Sequence, residues 1–193
     1  MERLEQMEEY VREFWDEHIR LKEVEIQKKD SQLEYDLKLK IDSLVKEQVV
    51  RQQGDNQRII KYLFLCKLHS SGYTGSYEVV LGMSDDQLFL DENRSYLYWY
   101  PSHIYDSLDK GMAEVEKQIK KKFIQVEASE LFYLKQRLLS DYWNMLENSF
   151  VRISDRIRDY IMDSSLLLDQ YFLLLCGNYM DQLRIASRRK IGS

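Results

Sequence analysis

The sequence predicts an α+β fold, mainly helical, with a long N-terminal helical arm, a small antiparallel β-meander in the middle and C-terminal helices packed on the sheet. Three observations carry this prediction. Gly and Pro, which punctuate chains into turns and strands, number only 7 and 1 in 193 residues, so the elements should be few and long. Most of them, Gly54, Gly72, Gly75, Gly82, Gly111 and Pro101, fall in one middle stretch, which marks the non-helical part. On either side of it, apolar residues recur at three- and four-residue steps, the period of a helix with one buried face.

The arm comes first. Leu4, Met7, Val11, Phe14, His18 and Leu21 form a near-heptad seam, after which Val24 and Ile26 fall out of register. A second stripe runs through Leu33, Leu37, Ile41, Leu44 or Val45, and Val49. Between the stripes, Ser31 and Glu34 have the spacing of a capping box, so either one helix ends and another begins here or a long helix bends. A coiled coil needs three or four sustained heptads and this arm offers about two. An antiparallel hairpin, or a long helix packed on the body, is therefore preferred. Gln52-Gln53-Gly54-Asp55-Asn56 reads as a helix stop and linker. The expected organisation is a helical arm over 1–55, a meander over 56–104, and a helical region over 105–193 that forms one domain with the sheet.

The middle stretch is rich in Tyr, Val, Leu and Phe in short runs: Ile60 to Leu68, Tyr77 to Met83, Leu88 to Leu90 and Tyr96 to Tyr100. Polar turn residues separate the runs, which predicts three or four antiparallel strands. Asn56 could instead cap a helix over 57–69, but aromatic and branched side chains suit a pleated surface, and strand is favoured. Beyond Pro101 the helical period returns in Leu108, Met112, Val115, Ile119 and Phe123, opened by Asp106 or Ser107 and closed by the basic turn Lys120-Lys121-Lys122. Another helix begins near Ser129, with Leu131, Leu134, Leu138, Tyr142 and Met145 on one face. A long stripe then follows through Phe150, Ile153, Ile157, Ile161, Leu168, Tyr171 and Leu175, with interruptions near Asp163-Ser164-Ser165 and Gly177-Asn178.

Composition limits the function. With 44% hydrophobic and 32% charged residues the chain has the make-up of neither a disordered nor a membrane protein. The net charge of −5 arises in residues 1–55, unlike the broad basic footprint of a nucleic-acid binder. Cys66 and Cys176 lie in apolar runs without CxxC or Cys/His spacing, which reads as buried thiols and no metal site. Met1 to Tyr10 is acidic rather than basic and then apolar, so no leader is expected and the chain should be cytoplasmic. The apolar stretch Leu166 to Cys176 is broken by Asp169 and Gln170 and falls short of the ~20 residues of a membrane span. No cofactor is expected. The loop Ser71-Gly72-Tyr73-Thr74-Gly75-Ser76 lacks the Lys and the Gly frame of a phosphate cradle and reads as a hairpin turn.

Three histidines, His18, His69 and His103, offer a general base, but none has a specific partner spacing. The most unusual local feature is Tyr96-Leu97-Tyr98-Trp99-Tyr100. On a strand this places Tyr96, Tyr98 and Tyr100 on one face, and Leu97 and Trp99 on the other. The expected function is therefore non-enzymatic protein–protein interaction, an adaptor role with self-association as a homodimer as one form of it. Its expected surface comprises Leu4, Met7, Val11 and Phe14 of the first helix and the three tyrosines. A nucleic-acid-associated regulator using the tyrosines with Arg184, Arg188, Arg189 and Lys190 is the disfavoured alternative. An enzyme or small-ligand sensor with a pocket near His103 is the second.

Overall fold

The helical stripes and the aromatic strands are divided between two units. The computed structural model describes residues 2–54 and 58–188, with Arg188 described by its backbone alone. One unit comprises Met1–Lys29 and Ser102–Leu146, the other Asp30–Pro101 and Glu147–Ser193. This grouping differs from the three consecutive stretches read in the sequence. The two helices of the expected arm fall one in each unit.

The first unit is helical. It contains α1 (Glu2–Lys28), the short α4 (Ser102–Tyr105), α5 (Leu108–Lys122) and the N-terminal half of α6 (Ala128–Met162). Helix α1 buries Met7, Val11, Trp15, Lys22 and Ile26, and α5 buries Leu108, Gly111, Val115 and Ile119. Leu134, Leu138, Tyr142 and Met145 of α6 complete the core. The near-heptad seam expected for α1 is corrected in its second half. A straight helix turns ~20° per heptad away from a strict seven-residue repeat. After Val11 the buried line accordingly passes to Trp15, and Phe14 and Leu21 are 37% and 57% exposed.

The second unit is a two-layer α/β assembly. It holds α2 (Asp30–Gly54), β1 (Ile60–Lys67), α3 (His69–Thr74), β2 (Val79–Ser84), β3 (Ser95–Trp99), the C-terminal half of α6, β4 (Leu168–Asn178) and β5 (Leu183–Arg188). The sheet order is β3-β2-β1-β4-β5. The expected meander forms as β1-β2-β3, with Phe64 opposite Gly82 and Gly82 opposite Tyr96. The first run is strand, as favoured, and β4 joins its other edge in parallel, Leu63 opposite Leu174.

Three local readings are corrected. The run Leu168 to Leu175 was expected to continue a helix and is instead strand β4; α6 stops at Met162, beside Asp163-Ser164-Ser165. A run that is apolar on successive positions fits either period, and here sheet pairing decides it. Leu88–Leu90 is a 3-10 turn rather than a strand. The polar loop after β1 is the helix α3, closed by Gly75 in the left-handed region at φ 76°, where a glycine carries no Cβ penalty.

Helices cover one face of this sheet. Leu33, Leu37, Ile41 and Leu44 of α2 and Phe150, Ile153, Ile157 and Ile161 of α6 are buried together with Leu63, Leu65, Leu81, Met83, Trp99 and Leu174. Polar groups tie the helices to the strands. Gln48 donates to Ser95 Oγ at 2.8 Å, Arg158 to Ser187 Oγ at 2.6 Å, and Ser154 Oγ to the Ala186 carbonyl at 3.2 Å. Arg58, 7% exposed, sits at one end of the sheet, where it donates to both carboxylate oxygens of Asp91 at 3.1 and 2.6 Å. It also reaches Gln48 Oε1 at 3.0 Å and the Asn93 carbonyl at 2.8 Å.

Candidate functional site

Two places combine accessibility with unusual chemistry, one in each unit. The first follows from strand alternation. With Leu97 and Trp99 turned to the helical side, Tyr96 and Tyr98 project from the opposite face of β3 and are 45% and 57% exposed; Tyr100 follows directly after the strand and is 43% exposed. The strand lies at the end of the sheet, so half of its backbone N–H and C=O groups point away from β2, with no strand beside them among the described residues. Tyr96 and Tyr98 meet edge to face at 5.9 Å between ring centres, and the Arg94 guanidinium stands 5.6 Å from the Tyr96 ring. Arg94 is held by the carbonyls of Phe89 and Asp91, each at 2.9 Å, which fixes that cation beside the aromatic row.

Further along this face a small apolar cluster is roofed over. Phe64, Cys66, Val80 and Leu175 are buried beneath Leu88, Phe89 and Tyr179. Phe89 contacts Phe64 and Tyr179 at 5.4 and 5.0 Å between ring centres. Gly82 makes the arrangement feasible: a Cβ there would lie 2.3 Å from Phe64 Cζ and 2.9 Å from the Ser95 carbonyl. The 3-10 turn thus shields the middle of the face and leaves the tyrosines at its rim uncovered.

The second place is a cleft of about 370 Å³ in the first unit, lined by Phe14, His18, Leu21 and Lys22 of α1 and by Lys110 and Gly111 of α5. His18 stacks on Trp15 at 5.1 Å, and its Nε2 lies 2.8 Å from Tyr142 Oη. Tyr142 Oη lies in turn 3.0 Å from Ser107 Oγ. Burial, followed by the charges of Lys22 and Lys110, pushes the His18 pKa down, so the imidazole is neutral at neutral pH. Burial also raises the Tyr142 phenol to about 12 and keeps it protonated. The three groups form a chain of hydroxyls and imidazole whose donor directions can reverse when the ring gains a proton. Lys22, 4% exposed, donates to Asp106 at 2.6 Å and to Glu25 at 3.3 Å.

The expected site residues are dispersed. Tyr96 and Tyr98 meet on one face of β3, and Tyr100 is exposed just past the strand's end. Met7 and Val11 are 0% and 1% exposed within the first unit, so they build its core and offer no contact surface; Leu4 is half-buried. Phe14 is exposed and lines the cleft. Arg184 is engaged with Glu147 at 2.6 Å. The Arg188 side chain, Arg189 and Lys190 lie outside the described residues. The cleft was not foreseen, and its imidazole is His18 rather than His103. One signal pointed to it: Gly111 stands inside the otherwise clean helical stripe of α5, and an interior glycine costs about 1 kcal/mol relative to Ala. The reason is steric, since a Cβ on Gly111 would lie 2.7 Å from the His18 ring.

Among the described residues no group of three or more His, Cys, Asp or Glu side chains is arranged to hold a metal ion, and no helix is long and apolar enough to cross a membrane. Comparison with protein-family models, with curated proteins and with solved structures found no match.

Proposed function

We propose that the chain is a non-enzymatic protein-binding module whose principal surface is the tyrosine row of β3, and whose occupant is an extended segment of a partner polypeptide added to that strand's free edge. One observation carries the reading: Tyr96 and Tyr98, 45% and 57% exposed, share one face of a strand at the end of a sheet, and the 43% exposed Tyr100 follows directly after it. Unpaired edges are ordinarily blunted by charge, proline or cover, because they recruit other strands. Here the edge carries aromatic side chains, the residue type enriched where proteins meet, with the Arg94 cation beside it. In strand addition the backbone supplies hydrogen bonds and alternate side chains supply selectivity. Tyr96, Tyr98 and Tyr100 are spaced to grip every second residue of an added strand.

Self-association through the same edge, giving a homodimer, is a special case in which the partner strand is β3 of a second copy. The nucleic-acid alternative has weaker support. Base stacking on the tyrosines needs several cations along the backbone, and Arg94 is the one placed against the row, while Arg184 is neutralised by Glu147. The test uses the full chain and its Tyr98→Glu variant side by side. Light scattering measures self-association, and mass spectrometry follows proteins captured from the native lysate. The expected result is a dimer or a captured protein that the variant loses. A chain that remains monomeric at high concentration, and whose captured proteins are the same with Glu at position 98, overturns the reading.

A further inference from the structure

We propose that the cleft between α1 and α5 binds a small organic monoanion with an apolar body, of which a medium-chain carboxylate is the simplest, with its charge against Lys110 and its chain against Phe14 and Leu21. The inference concerns the first unit and does not depend on the tyrosine row.

The charge assignment follows from which lining groups are already neutralised. Lys22 is held by Asp106 and Glu25, and Glu25 also takes Lys29. Glu114 accepts from Lys117 at 3.2 Å and from Gln118 at 2.8 Å. Lys110 has no hydrogen bond or ion pair among the described residues, and the imidazole opposite it is uncharged at neutral pH. The cleft therefore keeps one uncompensated positive charge at its rim, which matches one anionic group. A lone exposed lysine is ordinary. This one is distinguished by the cavity beside it.

The apolar assignment follows from α1. Phe14 and Leu21 are turned away from the core by helical drift, yet they stand two turns apart along one side of the cleft. That makes a greasy wall long enough for a short hydrocarbon chain, and the volume of about 370 Å³ falls within the range of small-molecule sites. Gly111 and the His18 ring occupy the floor in close approach, so any larger residue at 111 collides with the imidazole. The ring is locked from behind by Trp15 and Tyr142, which makes the floor rigid before a ligand arrives.

The test titrates sodium octanoate into the full chain at neutral pH, by calorimetry and by NMR of the His18 ring proton, with sodium acetate and 1-octanol as comparison probes. Saturable octanoate binding is expected, weakened about tenfold by Lys110→Met, as the loss of one charge-assisted contact implies, and weakened again by Phe14→Ser. Acetate lacks the body and octanol lacks the charge, so both should bind at least about tenfold more weakly. Bound carboxylate should also move the His18 titration to higher pH, because it offsets the lysine charge that depresses it. Both substituted residues are exposed, and circular dichroism verifies that each variant is folded. The absence of saturable octanoate binding overturns the proposal. So does octanoate affinity unchanged by Lys110→Met, and so does acetate binding as tightly as octanoate.

Discussion

In the first unit, His18, Tyr142 and Ser107 form a chain among the helices, and His18 and Ser107 line a cleft together with Lys22, which is held by Asp106 and Glu25. In the second, apolar side chains fill most of the layer between helices and sheet, which the Gln48–Ser95 and Arg158–Ser187 contacts cross, while Gln52 and Arg58 lie at its margin, held by backbone and by counter-ions. Gln52 Nε2 donates to the carbonyls of Arg58 and Leu167, at 3.0 and 2.9 Å, while its Oε1 accepts from the Leu167 N–H at 3.0 Å. Arg58 is surrounded by Asp91, Asp85, Gln48 and the Asn93 carbonyl. A polar group saturated by backbone has no capacity left for a ligand, so the margin of the second unit is structural. The hydroxyl and imidazole chain of the first unit instead adjoins a cleft and Lys110, a cation that has no ion pair among the described residues, which is why the proposed ligand is placed there. In the second unit the proposed recognition surface lies instead outside the core, at the tyrosines.

The contrast can be broken most forcefully at Arg58. Asp91→Ala leaves a guanidinium that is 7% exposed without its bidentate partner, and removing one member of a buried pair costs about 3–5 kcal/mol. Urea unfolding should report a loss of that size. A loss under ~1 kcal/mol would mean that the network is dispensable and the contrast false.

A smaller effect is expected from Tyr142→Phe. The ring still packs, but His18 Nε2 and Ser107 Oγ lose their common partner, which costs about 1–3 kcal/mol if neither finds another. A change close to zero would show that water replaces the hydroxyl and that the chain is open to solvent along its length.

The pH dependence separates the units by window, the sign being the same in both. His18 has a depressed pKa in the folded chain, so unfolding takes up a proton; stability is lost as pH falls through the unfolded value of about 6.5 toward the lower folded one. Asp91 is also depressed. Burial opposes its charge, but hydrogen bonds from Arg58 and from the Asp85 and Asn93 N–H groups outweigh burial. Its contribution is present above about 3.9 and disappears only below that value, as pH falls through the folded pKa. Melting curves between about pH 7.5 and 5.5 should therefore show a decline that His18→Gln reduces and that Asp91→Asn leaves in place. If the histidine variant declines as steeply as the parent, the imidazole is not the group responsible.

The smallest effect on stability belongs to Tyr98→Glu. The side chain is 57% exposed and touches the fold mainly through Tyr96, so a change within about 0.5 kcal/mol is expected. The same substitution should have the largest effect on association. A stability loss well beyond that range would indicate that the tyrosines support the sheet rather than a partner.

Much of this architecture was legible in the chain. Alternation in Tyr96 to Tyr100 identified the exposed row because β3 is buried on one face only, the condition under which a period of two can be read. The stripe of α5 was equally clear. The strand β4 was hidden because Phe172, Leu173, Leu174 and Leu175 are all at least half-buried, which erases alternation. The cleft could not be read from spacing, since its lining joins His18 to Gly111 and Ser107 through packing between helices. The exchange of Phe14 for Trp15 as the core residue turned on a rotation of one position, finer than a seam with aromatic residues at both places can indicate.

The parallel pairing of β1 with β4 has a consequence for how the protein comes into being. During synthesis the meander β1-β2-β3 emerges early, but Leu63 must wait for Leu174, which is translated only after both helices α5 and α6. Pairing between positions so far apart in the chain is slow, because the intervening loop must be closed before any contact repays its entropy. Until then the flank of β1 that β4 will occupy lies bare on a nascent chain, at the opposite side of the meander from the outer edge of β3. Conditions that stall translation between these segments should therefore be where aggregates of this protein first appear.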